Sequence, residues 1–243
     1  MLNHDDPLAM SQAKRIKGAL RTFGREAGAD VGAEEIRPHE DGHYTFQLVA
    51  PEGQARVRVH GLAETTVSNA LAASAAALLA GADMDTVAEG LALFEGVKGR
   101  MARTTTRRGA NLVDDTYNAN PQSMRSALES LAGLKAGGRG IAVLGDMGEL
   151  GQESEEAHRQ LGRLSARLGV DELFILGDNA EWVAEEALAA GMAPARVHVE
   201  KEHEAVGESI QELAGPGDWV LVKGSRAMKM ERIVEILASE EKN

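Results

Sequence analysis

The 243-residue chain contains no cysteine, which excludes disulfide bonds and thiolate metal sites and fits a reducing compartment. Aromatic residues make up only 3% of the chain, and basic residues are a minority of 26 against 38 acidic ones. The net charge of −12 argues against a general binder of nucleic acid or of anionic membranes, because both partners require positive potential. A small basic pocket for a phosphorylated ligand stays possible.

No segment has the features of a secretion signal or a membrane span. The start, "MLNHDDPLAM", lacks a basic end and an apolar stretch. The longest apolar-looking run, "NALAASAAALLAGA", is too short and too rich in alanine to cross a bilayer. We therefore expect a cytoplasmic protein without membrane insertion, and a monomer.

The composition, with 43% apolar and 26% charged residues, is that of a soluble globular protein of one large or two smaller domains. Residues 30–61 show period-two alternation in three runs separated by the turns "EDG" and "PEG", which predicts an antiparallel meander. Two helices are predicted to follow, over residues 67–81 and 84–94.

From residue 111 the pattern changes to an alternation of strands and helices. Five short apolar runs ("NLVDD", "GIAVLG", "ELFILG", "RVHVE" and "WVLVKG") are separated by amphipathic patterns, and a last helical pattern covers residues 227–239. Apolar strands that alternate with helices predict an α/β domain with a mostly parallel sheet covered on both faces. Ligands of such sheets bind beyond the carboxyl ends of the strands, where the polar clusters of this chain fall.

Arg100 and Asp115 are candidates for a nucleotide site at that edge. Arginine suits phosphate and aspartate suits ribose hydroxyls. The alternative is a surface salt bridge, which would contribute little to stability.

Two further loops carry polar residues. "VLGDMGELG" is not a G-x-G-x-x-G loop; its acidic residues disfavour a phosphate but could receive an ammonium group, and a plain glycine-rich turn fits equally well. "VKGSR" (residues 222–226) could hold a carboxylate or a phosphate. The seven histidines show no metal-ligand spacing and are expected at the surface or in packing positions.

The motifs "KGR", "DDTYNANPQSM", "VLGDMGELG" and "LVKGSR", in this order, resemble the Mur ligases, and within them the branch that adds D-alanyl-D-alanine. "NHDDP", "TFG" and "NALAA" extend the resemblance towards the start, so that it covers essentially the whole chain. The resemblance implies an ATP- and Mg²⁺-dependent amide ligation in peptidoglycan synthesis. ATP phosphorylates the terminal carboxylate of a UDP-N-acetylmuramoyl-tripeptide, and the amine of D-alanyl-D-alanine attacks the acyl phosphate, with loss of phosphate from a tetrahedral intermediate.

The resemblance also implies roles for individual residues. Nucleotide contacts are expected at Asn69, Arg100 and Asp115. Contacts with the amino substrate are expected at Tyr117, Asn118, Asn120, Lys223, Ser225 and Arg226. No catalytic residue and no metal ligand is expected in this chain.

The family's domain plan predicts two parts. Residues 1–100 would be the antiparallel-strand and helical tail of the central P-loop ATPase domain, and residues 101–243 would be the Rossmann-like C-terminal domain. No G-x-x-x-x-G-K-[ST] occurs, and Thr65 and Thr66 replace a family His-Asn pair. The chain is therefore expected to be part of a longer ligase and inactive alone; a non-catalytic module that binds nucleotide or dipeptide is the alternative. Gly96 and Gly99 predict a hinge between the two parts, and the alternative is a rigid glycine-containing turn.

Overall fold

The computed structural model describes residues 1–39, 41–135 and 137–238, which form two compact units divided between Gly96 and Val97. Glu40 of the predicted "EDG" turn and Ser239 at the end of the last predicted helix lie outside the described residues. In the described part of the chain, no helix has the length and apolar character needed to cross a membrane.

The first unit contains a short parallel pair of strands, an antiparallel sheet and three helices. Its elements are β1 (Leu2–Asn3), α1 (Pro7–Ser11), β2 (Thr22–Phe23), β3 (Gly32–His39), β4 (His43–Ala50), β5 (Gly53–His60), α2 (Thr65–Leu79) and α3 (Met84–Ala92). β3, β4 and β5 pair in sequence order, as the alternating pattern predicts. The β1–β2 pair is too short to leave a pattern and was not predicted.

The periodicity of the sequence explains the core of this unit. In β4, alternate residues Tyr44, Phe46 and Leu48 are buried, because successive side chains of a strand point to opposite faces. In α2, Val67 and Leu71 are fully buried at a spacing of four, which places them on one side of the helix. These side chains belong to one apolar cluster, so the helix covers one face of the meander.

The second unit is an α/β domain with a six-stranded sheet. Its elements are β6 (Ala102–Thr105), β7 (Asn111–Asp115), α4 (Pro121–Leu134), β8 (Gly140–Leu144), α5 (Ser154–Arg167), β9 (Glu172–Leu176), α6 (Ala180–Ala189), β10 (Val197–Glu200), α7 (His203–Leu213), β11 (Trp219–Lys223) and α8 (Glu231–Leu237). The strand order is β10-β9-β8-β11-β7-β6, and every pair is parallel except β6–β7. This confirms the predicted α/β class with a mostly parallel sheet. β6 was missed because "ARTT" is a short polar edge strand.

Every residue of the central strands β8 and β11 is buried, because helices cover both faces of this sheet. Val220 and Val222 share an apolar cluster with Ile210 of α7 and Ile233 of α8. The intervening residues of the two strands face the other side, where α4 packs against both strands. The strands β7, β8, β9 and β11 consequently end together at one edge of the sheet, and the polar loops that follow them are neighbours.

Candidate functional site

The ends of β7 and β11 are joined by a buried ion pair. The two strands are in register, with Lys223 opposite Asp115. The Lys223 Nζ lies 2.6 Å from the Asp115 Oδ2, and it also donates to the backbone oxygen of Asn118 at 2.9 Å. Only 2% of the lysine is exposed. Lys223 thus points into the protein and fixes both the aspartate and the turn that follows it.

The turn after β7 presents side chains to solvent and starts a helix. Tyr117 is half-exposed, and Asn118 is exposed. Asn120 is the N-cap of α4: its Oδ1 accepts the Ser123 backbone N–H at 2.8 Å, and the Ser123 Oγ accepts the Asn120 N–H at 3.0 Å. Pro121 occupies the first helical position, where it costs no hydrogen bond. The "NANPQS" stretch therefore has a structural role at the start of α4, whether or not it also contacts a ligand.

Arg100 and Asp115 take different partners rather than forming a surface salt bridge with each other. The guanidinium carbon of Arg100 lies 4.1 Å from the centre of the Tyr117 ring, within the range of a cation–π contact. Arg100 is exposed to solvent while its guanidinium carbon lies over the ring. This is a charged donor group held in place without being neutralised.

The segment 97–101 is fastened to the turn after β7. Gly99 is buried, its N–H donates to the Asp114 Oδ2 at 3.2 Å, and its carbonyl accepts the Tyr117 N–H at 2.9 Å. The Met101 N–H donates to the Asp115 Oδ1 at 3.1 Å. These bonds favour a rigid turn at Gly99, whose φ of +76° allows a close approach to Tyr117, and the hinge stays a prediction.

The loops after β8 and β11 run side by side beyond the sheet. The Gly145 N–H donates to the Lys223 carbonyl at 2.8 Å, and the Ser225 N–H donates to the Asp146 carbonyl at 2.9 Å. A Cβ at Gly224 would stand 3.1 Å from the Cα of Gly145, so the two backbones approach more closely than side chains would allow. Ser225 is buried in consequence.

The side chains of Asp146 and His158 hold neighbouring elements in place. Asp146 accepts the backbone N–H groups of Asp178 and Asn179 at 2.8 and 3.2 Å, just before α6, which disfavours the ammonium role considered from sequence. His158 is 1% exposed, and its Nε2 accepts the Met147 N–H at 3.0 Å. Because Nε2 accepts, Nδ1 carries the proton and donates to the Ser154 carbonyl at 2.7 Å.

The structure brings five of the nine candidate residues into one connected group at the end of β7: Arg100, Asp115, Tyr117, Asn118 and Lys223. Asn120 caps the adjoining helix, whereas Ser225 and the exposed Arg226 follow Lys223 in the next loop. The Arg226 Nη1 lies 3.1 Å from the Glu231 Oε1. Asn69 is exposed on α2 and belongs to the first unit.

One residue of this edge was missed in the sequence. Asp114 is 4% exposed and accepts three hydrogen bonds, two from Thr116 and one from Gly99. The signal was the doubled aspartate itself, since adjacent residues of a strand point to opposite faces and cannot serve the same ligand.

The group can bind and orient a ligand. It offers an exposed guanidinium on an aromatic face beside a carboxylate that is 14% exposed, which suits phosphate and hydroxyl groups of a nucleotide. In residues 1–39, 41–135 and 137–238, no three histidine, aspartate or glutamate side chains are grouped as metal ligands. Magnesium is accordingly assigned no residue.

Two family models match the chain. Residues 99–226 match the family model described as "Mur ligase, glutamate ligase domain", and residues 1–77 match "Mur ligase middle domain". A UDP-N-acetylmuramoyl-tripeptide–D-alanyl-D-alanine ligase of Mycobacterium tuberculosis is 35% identical over 259 aligned positions, which cover 99% of this chain and 51% of the relative. The chain therefore spans about half the length of that relative.

Solved structures of MurF enzymes are also similar to this chain. A crystal structure of MurF from Acinetobacter baumannii superposes with a TM-score of 0.81 at 31% identity, covering 96% of this chain and 50% of that one. MurF from Thermotoga maritima, in complex with ADP, superposes with a TM-score of 0.73 at 25% identity over 96% of this chain and 51% of that one. With one family model matching more than half of its residues, from Gly99 beside the ion pair to Arg226 after it, the chain belongs to the Mur ligase family.

Proposed function

We propose that this chain is part of an ATP-dependent amide ligase that adds D-alanyl-D-alanine to a UDP-N-acetylmuramoyl-tripeptide in peptidoglycan synthesis. The observation that carries the proposal is the 35% identity to a ligase of that name over 99% of the chain. The Mur ligase match and the ligand-binding character of the β7 edge support it. A cytoplasmic location is proposed with this function.

An adenine nucleotide is proposed to bind at the group formed by Arg100, Asp115 and Tyr117. Arg100 offers exposed, charge-assisted donors to phosphate, and Tyr117 holds its plane. Asp115 has a lone pair left on each oxygen after its bonds to Lys223 and Met101, enough to accept a ribose hydroxyl. The ADP in the Thermotoga MurF structure supports this ligand class. Asn69 is proposed as a separate adenine contact in the first unit.

The amino substrate is proposed to meet the polar side chains that stay exposed nearby. Tyr117, Asn118 and Asn120 offer hydroxyl and amide groups, and Arg226 offers a guanidinium suited to a carboxylate. The Ser225 hydroxyl is proposed to assist at the same loop. Lys223 is buried, so its proposed contribution is to hold Asp115 and the Asn118 carbonyl in place.

A nucleotide titration by calorimetry tests the site in the chain as it stands. We expect ADP to bind, and Arg100→Ala and Asp115→Ala each to weaken binding about tenfold, the effect of losing one charge-assisted contact. Asp178→Ala is the matched control, because this exposed aspartate lies at the same sheet edge after β9. ADP binding that neither Arg100→Ala nor Asp115→Ala changes would rule out this site.

A phosphate-release assay with both substrates separates the ligase proposal from a pure binding module. We expect no turnover by the chain alone, because it contains no P-loop sequence for the β- and γ-phosphates. When a polypeptide that supplies a P-loop domain of this family is added, Arg100→Ala should lower any restored turnover. Turnover by the purified chain alone would contradict the expectation.

A further inference from the structure

Asp114 is a buried carboxylate with an unusual set of partners. It lies in β7 beside Asp115 and is 4% exposed. Its Oδ1 accepts the Thr116 hydroxyl at 2.6 Å and the Thr116 N–H at 3.2 Å, and its Oδ2 accepts the Gly99 N–H at 3.2 Å. These partners are neutral groups. A buried carboxylate is costly unless its hydrogen bonds are satisfied. The three hydrogen bonds offset that cost at this position.

Within the described part of the chain, Gly99 is the one hydrogen-bond partner of Asp114 that lies outside its own turn. Its other backbone group is also engaged, since its carbonyl accepts the Tyr117 N–H. A Cβ on Gly99 would lie 3.3 Å from the Tyr117 nitrogen, so the chain passes very close to the turn after β7. Asp114 therefore fastens the chain at the residue immediately before Arg100.

The residue after Arg100 is fastened by the neighbouring carboxylate. The Met101 N–H donates to the Asp115 Oδ1 at 3.1 Å, and Met101 has a φ of +51°, in the left-handed region that non-glycine residues seldom adopt. The Arg100 N–H donates to the Val97 carbonyl at 3.0 Å and closes the turn. Two consecutive aspartates thus hold the two residues that flank Arg100.

We propose that Asp114 is a positioning residue of the nucleotide site: by holding the Gly99 amide it fixes the backbone of Arg100, and so the placement of the guanidinium over the Tyr117 ring. It does not touch the ligand. The inference rests on the proposed nucleotide site for its effect on affinity, but not for its effect on the 99–101 backbone. It assigns different tasks to the paired aspartates, with Asp115 facing the ligand and Asp114 facing the protein.

Hydrogen exchange measured by NMR tests the structural step without any ligand. In Asp114→Asn and Asp114→Ala, the Gly99 amide should exchange about tenfold faster than in the unmodified chain, because its acceptor is removed or replaced. Thr116→Val is the matched control, since it removes a donor from the same carboxylate but leaves the Gly99 bond. An unchanged Gly99 exchange rate in folded Asp114→Ala would overturn the proposal.

A double-mutant cycle with ADP tests the functional step. Asp114→Asn should weaken ADP binding about fivefold in the unmodified background and have no further effect in Arg100→Ala, because it acts through that arginine. General destabilisation of the domain would instead weaken binding equally in both backgrounds, and that result would overturn the positioning role. If Arg100→Ala and Asp115→Ala bind ADP unchanged, the nucleotide site itself is wrong, and the Gly99 exchange rate still decides whether Asp114 holds the segment.

Discussion

The two edges of the C-terminal sheet use the same residue types in different contacts. At the edge where the strands begin, Arg139 meets Asp218 and Lys135 meets Asp171. At the edge where they end, Lys223 meets Asp115, and Arg100 rests on Tyr117. At the starting edge the charged side chains pair with each other, although 40% of the Arg139 side chain is exposed. At the ending edge the exposed Arg100 guanidinium lies over an aromatic ring and not on a carboxylate.

The charged groups at the starting edge contact one another and the nearby backbone. Asp218 accepts from the Arg139 backbone, Nε and Nη2 and from the Gly215 N–H. The Arg139 Nη2 also donates to the Leu213 carbonyl at 2.7 Å. Asp171 accepts from Lys135 and from the Gly140 N–H, and Lys135 donates also to the Gly169 carbonyl. This network joins the starts of the strands to the neighbouring loops.

The two edges differ in where they lie on the sheet, and not in the presence of ion pairs or of exposed arginines. Both edges hold a lysine–aspartate contact below 3 Å. An exposed arginine also lies near an aromatic ring at each edge: Arg103 is 5.0 Å from the centre of the Trp219 ring, and Arg100 is 4.1 Å from that of Tyr117. The ending edge lies beyond the carboxyl ends of the parallel strands, which is where ligands bind in open α/β sheets.

The largest expected effect comes from Lys223→Met. It keeps the apolar stem but leaves the Asp115 charge without its buried partner, so the free energy of unfolding should fall by about 3 kcal/mol. Arg226→Met is the control in the next loop; its arginine is 69% exposed in the side chain, so the loss should be below about 0.5 kcal/mol. Urea denaturation of both variants measures the difference, and equal losses would mean that burial of the pair has no energetic consequence.

The next effect is at the starting edge, with Asp218→Asn. This change weakens the contact with Arg139 and removes one backbone acceptor, so we expect a loss of about 2 kcal/mol, reduced from the full value because Arg139 is partly exposed. The ADP affinity of Asp218→Asn should stay unchanged, whereas we expect that of Arg100→Ala to fall. Calorimetry and denaturation on the same sample test both parts; weaker ADP binding would break the distinction between the edges.

A smaller effect concerns pH. Burial disfavours the charged form of Asp218, but the hydrogen bonds from Arg139 and Gly215 outweigh it and hold the pKa below its usual 3.8. Burial also disfavours the charged form of Asp171, but the hydrogen bonds from Lys135 and the Gly140 amide outweigh it and lower the pKa of that carboxyl. The unfolded chain therefore binds more protons near and below pH 3.8, so this stability is present above that pH and is lost as the pH falls through the lower folded pKa values. Urea midpoints measured from pH 6 downwards should fall less steeply in Asp218→Asn; an identical slope would contradict the assignment.

The sequence predicted the sheet well because its physical signal is strong. The runs "GIAVL" and "WVLVK" are apolar throughout, which is what a strand buried on both faces requires, and both strands are observed at those residues. β1, β2 and β6 were missed because strands of two to four residues carry too few side chains for a period to be recognised.

The site was predicted only in outline. The cluster after β7 was found from its polar composition, yet the sequence could not tell that Lys223 points inward or that Asp114 and Asp115 face different ways. Those facts depend on the register of β7 and β11, which lie far apart in the sequence. Gly99 was read as free for the same reason: its partners, Asp114 and Tyr117, are known only once the chain has folded back.

The most direct test of the central claim, that the ending edge of this sheet holds the nucleotide, is an ADP titration followed by backbone amide NMR. We expect shifts at residues 99–101 and 114–120, and no shifts at Arg139, Asp171 or residues 215–218. The largest shift should be near Arg100 and Tyr117, where the exposed guanidinium lies on the ring. Shifts confined to the starting edge, or none in this sheet at saturating ADP, would contradict it.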